Sequence, residues 1–593
     1  MTHRSDLSSA VVLASLAFVG ACSSASVATS DGVSTTVTTT AASSFTVPGR
    51  LPLKFTGRPT QPAILAADMM TRVYILADDS MMGRSAATAH NAMGAAYIER
   101  EVRRLGLRPA GENGTYFQFP LDQREVDPAT SLAVGTTQYT LWKDFAPRDQ
   151  GSGARAFDGA TAIYAGSLGD PQRMLPSSAV AGKVAIVTAA KDSLGRPNFN
   201  VNRAQIAARF GDAAAIAVVT LDLTPPGYVD QFYRPAQIAQ KGVADTRVGP
   251  SYFYVTNAVA RAMLGADAES AQPGREGTTI RGQMRFVSKP APARNVVAIL
   301  PGSDSALRNQ YVAIGAHNDH VGFDGRPADH DSVKAYQAIA RPQGADNANT
   351  PVTDADWTRI RHVTDSLRAQ HAPRRDSIYN GADDDASGTS TVLEIAEAFV
   401  NARVKPKRSL LFVWHTAEEL GLIGAAYFTD NPTVPRDSIV AQLNIDMVGR
   451  GGANDITGVT KEGAPISGGP GYVQLIGSRR LSTELGDLAE RVNTDQALGL
   501  KFDYSLDANG HPQNIYCRSD HYMYARYGIP IIFFTTGGHA DYHQVTDEPQ
   551  YVDYQRMEQI GKLVYGIADR VGNLDHRVVV DKPKPNPRGG CRQ

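Results

Sequence analysis

The chain has 593 residues, too many for one hydrophobic core, and calls for two or three domains. Its 59 basic and 60 acidic side chains leave a formal net charge of -1, which excludes an electrostatically driven nucleic-acid partner or a polybasic membrane surface. A hydrophobic fraction of 42% is that of an ordinary soluble globular protein.

Residues 1–22 have the order of an export signal: Arg4 in a short polar start, an apolar run at 10–19, and small residues before Cys22. That run is too short to span a bilayer and lacks the flanks of a stop-transfer helix. Val19-Gly20-Ala21-Cys22 resembles a bacterial lipobox, which implies lipidation of Cys22 and a membrane association through that anchor alone. The alternative is a cleaved signal peptide with an incidental cysteine. Both readings export the protein, to the cell envelope or beyond it. Residues 23–58 follow as a flexible tether rich in Ser and Thr. With Cys22 lipidated, Cys517 and Cys591 either pair or stay as a buried thiol and a tail thiol, and no C-x-x-C offers a thiolate zinc site.

The segment 59–140 reads as the first part of a catalytic domain. Met69, Val73, Ile75 and Leu76, then Ala95, Ala96, Ile98 and Val102, recur at helical spacing, and the second run ends at Gly106. Between them, residues 79–84 read as a plain connector, with a loop beside a cleft as the alternative. From 141 to 286 the texture changes to short apolar strands, among them Thr161-Ala162-Ile163-Tyr164 and 214–219. Gly182-Lys183-Val184-Ala185-Ile186-Val187, followed by an Ala-rich helix at 203–210, resembles the protease-associated domain, a small insert of secreted peptidases. The resemblance implies a part that shapes or covers a cleft, against a purely structural insert.

Residues 287–575 carry the chemistry. His317 closes the apolar run 312–316, Glu418 and Glu419 follow the run 410–414, and Asp446 follows Leu443-Asn444-Ile445. Open parallel sheets place their ligands beyond the carboxyl ends of such strands. Asp319 stands two residues after His317, on the same side of an extended chain, and suits the carboxylate that aims a ligating imidazole. Asp383, Asp384 and Asp385 crowd three like charges between small residues, Gly381-Ala382 before and Ala386-Ser387-Gly388 after. Burying them is costly unless cations compensate. A solvated acidic helix start is the bland alternative. One member of the Glu418 and Glu419 pair can bind a cation while the other stays free as a proton acceptor. His539 and His543 lie four apart, one of them open to a structural role. Ser519, Asp520 and His521 form a further polar cluster, read as substrate-binding or as merely structural, with Asp520 as a guess for the group that meets a substrate amine.

Taken in order, His317-x-Asp319, residues 381–388, Glu418-Glu419-x-Gly421, Asn444-Ile445-Asp446-Met447 and Asp541-Tyr542-His543 resemble the co-catalytic zinc aminopeptidase family, which includes glutamate carboxypeptidases and glutaminyl cyclases. The resemblance implies an α/β fold, a mixed and mostly parallel sheet flanked by helices with a small β-rich insert, and two Zn2+ per chain. It makes Asp384 the carboxylate shared by both ions, with His317 and Asp446 on one and Glu419 and His543 on the other. It makes Glu418 the general base, Tyr542 the donor to a developing oxyanion, and the peptide bond after Asp384 cis. The implied activity is hydrolysis of peptides, most plainly from the amino end; a carboxypeptidase, a cyclase with one zinc and a receptor-like chain without catalysis are the alternatives.

One departure stands out: the insertion 324–378 is much longer than the family's short connection. Trp357, Ile360 and Leu367 give it an amphipathic helix, readable as a lid over the cleft or, the favoured reading, as a solvated excursion. Asp329, His330 and Asp331 read as exposed loop rather than as an extra cation site, and the insertion's arginines as candidates for a substrate carboxylate. Residues 576–593, with Pro583, Pro585 and Pro587, read as a disordered tail.

Overall fold

Strands that are apolar on both faces need cover on both faces, and the main sheet is built from such strands. Its seven principal members are β1 Asn295–Leu300, β2 Tyr311–His317, β3 Ser409–His415, β4 Ile439–Ile445, β5 Tyr472–Ile476, β6 Lys501–Asp503 and β7 Ile531–Thr535. In this computed structural model, which describes residues 51–149, 153–191, 197–198, 203–224, 237–241, 248–347 and 351–593, they lie in the order β1-β3-β2-β4-β7-β5-β6. The four central strands β3, β2, β4 and β7 are parallel; β1 pairs antiparallel with β3, and β5 antiparallel with β7. Two short strands, Arg108–Pro109 and Phe117–Gln118, extend the edge at β1. The fold class is therefore the expected mixed, mostly parallel sheet. The export signal, Cys22 and the tether up to residue 50 lie outside the described residues. Among those described, no helix is long and apolar enough to cross a membrane.

Alternation along the strands sends Val297, Ile299, Ala313, Leu411 and Val413 to one face, against Phe428, Tyr524 and Ile529. The other face is covered by α5 Ala386–Asn401 and α6 Tyr554–Asn573, on which α1 Ala66–Leu76 packs, while α2 Ala89–Arg104 packs beside β1 and α5. A buried guanidinium joins three of these helices. Arg72 on α1 reaches Glu394 and Glu397 on α5 at 2.5 and 2.6 Å, and Glu101 on α2 at 3.0 Å. Its charge is thus paired inside the fold, where an unpaired one costs several kcal/mol, about 3–5.

The insert forms a separate β-rich lobe. Ala160–Ser167, Val184–Thr188, Ala215–Val219 and Ser251–Val255 run parallel side by side at its centre, within an eight-stranded sheet. Its strands begin ahead of the expected boundary at 141: Ser131–Val134 pairs with Glu276–Gln283, and Leu132 and Val134 are buried in the lobe's own core. A ribbon in which Leu121–Val126 lies between Gln237–Gln240 and Phe286–Pro290 flanks the chain's entry and exit. These strands are too short for their alternation to mark the boundary in sequence.

The tail differs from expectation. Cys591 is disulfide-bonded to Cys517, with Cα atoms 5.8 Å apart. Gln593 donates its backbone N–H to Asn514 Oδ1 at 3.1 Å and accepts from the Tyr516 N–H at 2.9 Å, and Val578 is buried. Prolines prevent helix and sheet in this stretch, but the crosslink and these bonds hold it against the body without either.

Candidate metal centre

Every strand that points a residue into the centre ends at the same edge. His317 is the last residue of β2, Glu418 and Glu419 follow β3 within a short turn, Asp446 directly follows β4, and His543 lies in the loop after β7. Asp384 comes from the turn that opens α5. The backbone at this edge is bent to present the side chains: Ala417, Met447 and His543 take left-handed φ values of 57, 58 and 53°. Each such residue costs about 1–3 kcal/mol.

The three adjacent aspartates separate their tasks. Asp385 caps α5 by accepting the Gly388 N–H at 2.8 Å, and it also accepts from His317 N at 3.1 Å and Met447 N at 3.3 Å, tying three loops together. Asp383 accepts the Gly449 N–H at 2.6 Å and lies 3.2 Å from His539 Nε2. His539 is thereby the structural member of the histidine pair. Only Asp384 turns into the centre, and the bond that follows it is cis, as the resemblance implies. The small residues are required by space: a Cβ on Gly381 (φ 58°) would stand 2.2 Å from the Asp384 carbonyl, and one on Gly388 would stand 2.3 Å from that of Ile445.

Two groups of candidate ligands adjoin: His320, Asp384, Glu419 and His543; and His317, Glu418 and Asp446. Asp384 stands between them. Its Oδ1 is 3.1 Å from His317 Nε2, and its Oδ2 is 3.0 Å from His543 Nε2 and 3.5 Å from His320 Nδ1. Asp446 Oδ1 is 3.5 Å from His317 Nε2, and Glu419 Oε2 is 3.0 Å from His543 Nε2. Burial would raise the Asp384 carboxyl, but His320, His317 and His543 outweigh it and hold it well below the usual carboxylate range. Burial also pushes Glu418 well above its ordinary value, opposed by His317 and reinforced by Glu419 and Asp446.

The residues fit a pair of zinc ions. The His543 Nε2 and Asp446 Oδ1 atoms are buried and make no hydrogen bond, although each has opposite charge within reach. Atoms that converge without donor-to-acceptor geometry suit a cation placed between them. The donors are imidazole nitrogen and carboxylate oxygen with no thiolate, a set that zinc accepts.

Around the ligands, buried partners fix their aim. His317 Nδ1 meets the Asp319 carbonyl at 3.1 Å, while the Asp319 carboxylate accepts the Glu418 N–H at 3.1 Å. Ser519 donates to Asp446 Oδ2 at 2.7 Å and accepts from Asn444 at 2.9 Å, so it steadies a ligand and also lines the neighbouring pocket. Asp520 and His521 are not at the cleft. Asp520 is buried 3.2 Å from His415 Nδ1, and His521 donates to the Tyr516 carbonyl at 2.8 Å and stacks on Phe533. Burial lowers His521 to about 3 and keeps it neutral. The polarity of the sequence here serves the core.

Sequence reasoning missed two residues. His320 follows Asp319 directly and places Nδ1 2.7 Å from Glu419 Oε1; its signal was a second histidine at the end of the same motif. Arg84 is fully buried and donates to the carbonyls of Leu76, Asn380 and Gly381 at 2.5, 2.8 and 3.0 Å, directly under the Asp384 turn. The Asp79–Arg84 segment is therefore a support of the centre and not a plain connector. We expect Arg84→Met to cost about 3 kcal/mol or more of stability and to weaken zinc binding about 10–100-fold, with Arg84→Lys intermediate because it keeps the charge without the fork. Thermal unfolding and a competitive chelator titration measure the two effects.

The insertion is docked on the loop that carries His543 and is not a free excursion. Lys334 on α3 (His330–Ala340) pairs with Asp541 at 2.9 Å, and Gln337 donates to Gln544 at 3.0 Å. His330 and Asp331, expected in an exposed loop, are buried, and His330 Nε2 meets Glu548 at 2.8 Å with Arg374 on the same carboxylate. The second helix, α4 Asp354–Arg368, buries Ile360 and leaves Trp357 partly exposed.

Fold and site together define an α/β protein with two adjoining groups of candidate cation ligands at the carboxyl edge of a mixed sheet. Residues 295–568 match the model of Peptidase family M28. Leupeptin-inactivating enzyme 1 of Streptomyces exfoliatus is 30% identical over 203 residues, 34% of this chain and 39% of that one. Leucine aminopeptidase 1 of Ajellomyces capsulatus (strain G186AR) is 29% identical over 205 residues, 33% of this chain and 48% of that one. The chain thus spans less than half the length of these two curated relatives. Among solved structures, BSAP, a zinc aminopeptidase from Bacillus subtilis, aligns at 16% identity over 86% of this chain and 95% of its own, with a TM-score of 0.44. The aminopeptidase from Aneurinibacillus sp. strain AM-1 aligns at 15% identity over 88% and 97%, with a TM-score of 0.40.

Proposed function

We propose that the chain is an exported aminopeptidase that uses two zinc ions to release N-terminal residues from peptides. The observation that carries the reading is the position of Asp384, one oxygen toward His317 and the other toward His543, with Glu418 Oε2 farther off, 4.0 Å from His317 Nε2. In this reading His317 and Asp446 hold one ion, Glu419 and His543 the other with His320 beside them, and Asp384 both. When bound, such ions lower the pKa of water to about 7 and polarise a carbonyl oxygen.

The chain's own groups do the rest. Glu418 takes the proton of the attacking water and passes it to the leaving amine. The Tyr542 phenol is pushed well above its ordinary value by burial and by the charges of Asp384 and Glu419, so it keeps its proton and donates to the developing oxyanion. Asp319 holds the turn between His317 and Glu418. A pocket lined by Met447, Leu506, Ile515 and Phe533 opens beside Asp446 and Tyr542 and receives an apolar side chain. The relatives named leucine aminopeptidase support the amino-end reading. The β-rich lobe is read as a protease-associated-like domain, and residues 1–22 as a lipoprotein signal.

The test is a panel of amino-acid anilides and N-blocked dipeptides with metal analysis. The expected result is release from leucine anilide, loss of turnover with chelator, and about two zinc per chain. Turnover of N-blocked dipeptides alone would instead assign a carboxypeptidase, cyclisation of N-terminal glutamine with one zinc a cyclase, and no bound metal a non-catalytic chain.

A further inference from the structure

Besides the candidate ligand Asp446, the lining of the pocket beside the centre carries two opposite charges, Arg518 and Asp346, and they come from different parts of the chain. Arg518 precedes Ser519, which holds Asp446. Asp346 belongs to the insertion, in the short turn Gly344–Asp346. The two meet in a forked pair, Nη1 to Oδ2 at 2.9 Å and Nη2 to Oδ1 at 2.8 Å, so both terminal guanidinium nitrogens are engaged by one carboxylate. The turn that carries Asp346 is seated firmly. Ala345 donates to the Tyr542 carbonyl at 3.1 Å, Gly344 lies so close that a Cβ would stand 2.4 Å from that oxygen, and Gln513 donates to Gln343 at 3.1 Å. Asp346 and Arg518 both act electrostatically on Tyr542.

An arginine on such a pocket, left alone, receives a carboxylate, either an acidic side chain or a peptide's own terminus. Here that capacity is already taken by a residue the insertion delivers. We propose that the pair of Asp346 and Arg518 is a charge filter: Asp346 occupies the fork of Arg518, so the pocket admits uncharged side chains and turns away acidic ones. The proposal rests on the aminopeptidase reading and adds to it a function for the insertion, the substrate class it selects, and the residue that selects it.

The experiment uses the full zinc-loaded chain and compares kcat/KM for leucine, glutamate and lysine anilides. Asp346→Asn frees the guanidinium and is expected to raise the glutamate-to-leucine ratio at least about tenfold, a gain that added salt diminishes. The double variant Asp346→Asn with Arg518→Met is expected to lose that gain. Arg518→Met alone leaves Asp346 uncompensated and is expected to raise the lysine-to-leucine ratio, which keeps the question open to test should Asp346→Asn fold poorly. A pair that merely clips the insertion in place would lower all three activities together, and unmoved ratios in both single variants, or the same glutamate gain in the double variant, would overturn the filter. A natural chain that releases nothing from any anilide would defeat the aminopeptidase reading itself, whereas an active chain with unmoved ratios defeats only the filter.

Discussion

Glu418→Gln is expected to keep about two zinc per chain and to lose turnover by roughly three orders of magnitude, within the ~10²–10⁴ that a positioned proton acceptor contributes. The amide fills the same space and preserves the pocket, but it cannot take a proton. Glu418 Oε2 lies 4.0 Å from His317 Nε2, the longest of the three carboxylate approaches to that nitrogen, which suits a group left free of the cation. Metal content and kcat measured on the same preparation separate the roles. Turnover within tenfold of the natural chain would remove Glu418 from the proton path, and loss of one zinc would make it a ligand.

Asp384→Ala is expected to be more damaging, because it opens both groups at once. Its two oxygens each face a different histidine, so the variant should hold less than one zinc per chain and fall below one thousandth of natural kcat/KM, about 4 kcal/mol or more of lost transition-state stabilisation. Removing Asp446 or His543 singly should leave one site more intact than the other. If the Asp384 variant kept both ions, the sharing of that carboxylate would be refuted, since Asp384 is the carboxylate whose oxygens face a histidine of each group.

Much of this centre was legible because each of His317, Glu419 and Asp446 sits at or just past the end of an apolar strand, and a parallel sheet brings such ends together wherever they fall in the chain. The structure gathers those residues with Asp384, His543 and Glu418. Legibility failed where a partner is remote in sequence and chosen by packing alone. Asp520 and His521 look like a cleft motif, yet they face His415 and Tyr516 in the interior. Arg84 carries no sign of its purpose, because backbone carbonyls accept its fork and no spacing predicts them. The insertion read as solvated because its contacts, through Lys334, Gln337 and His330, are polar side chains that find Asp541, Gln544 and Glu548 only in the folded chain.

The candidate cation ligands are spread along the chain, from His317 to His543. A ribosome delivers such a protein from its amino end, so the early carboxylates must wait, mutually repelling, until the final imidazole has been made. In the proposed function zinc capture therefore waits for His543, and binding energy that belongs to folding arrives late. Without zinc the carboxylates of the centre would stay uncompensated, leaving a loosened chain open to proteolysis.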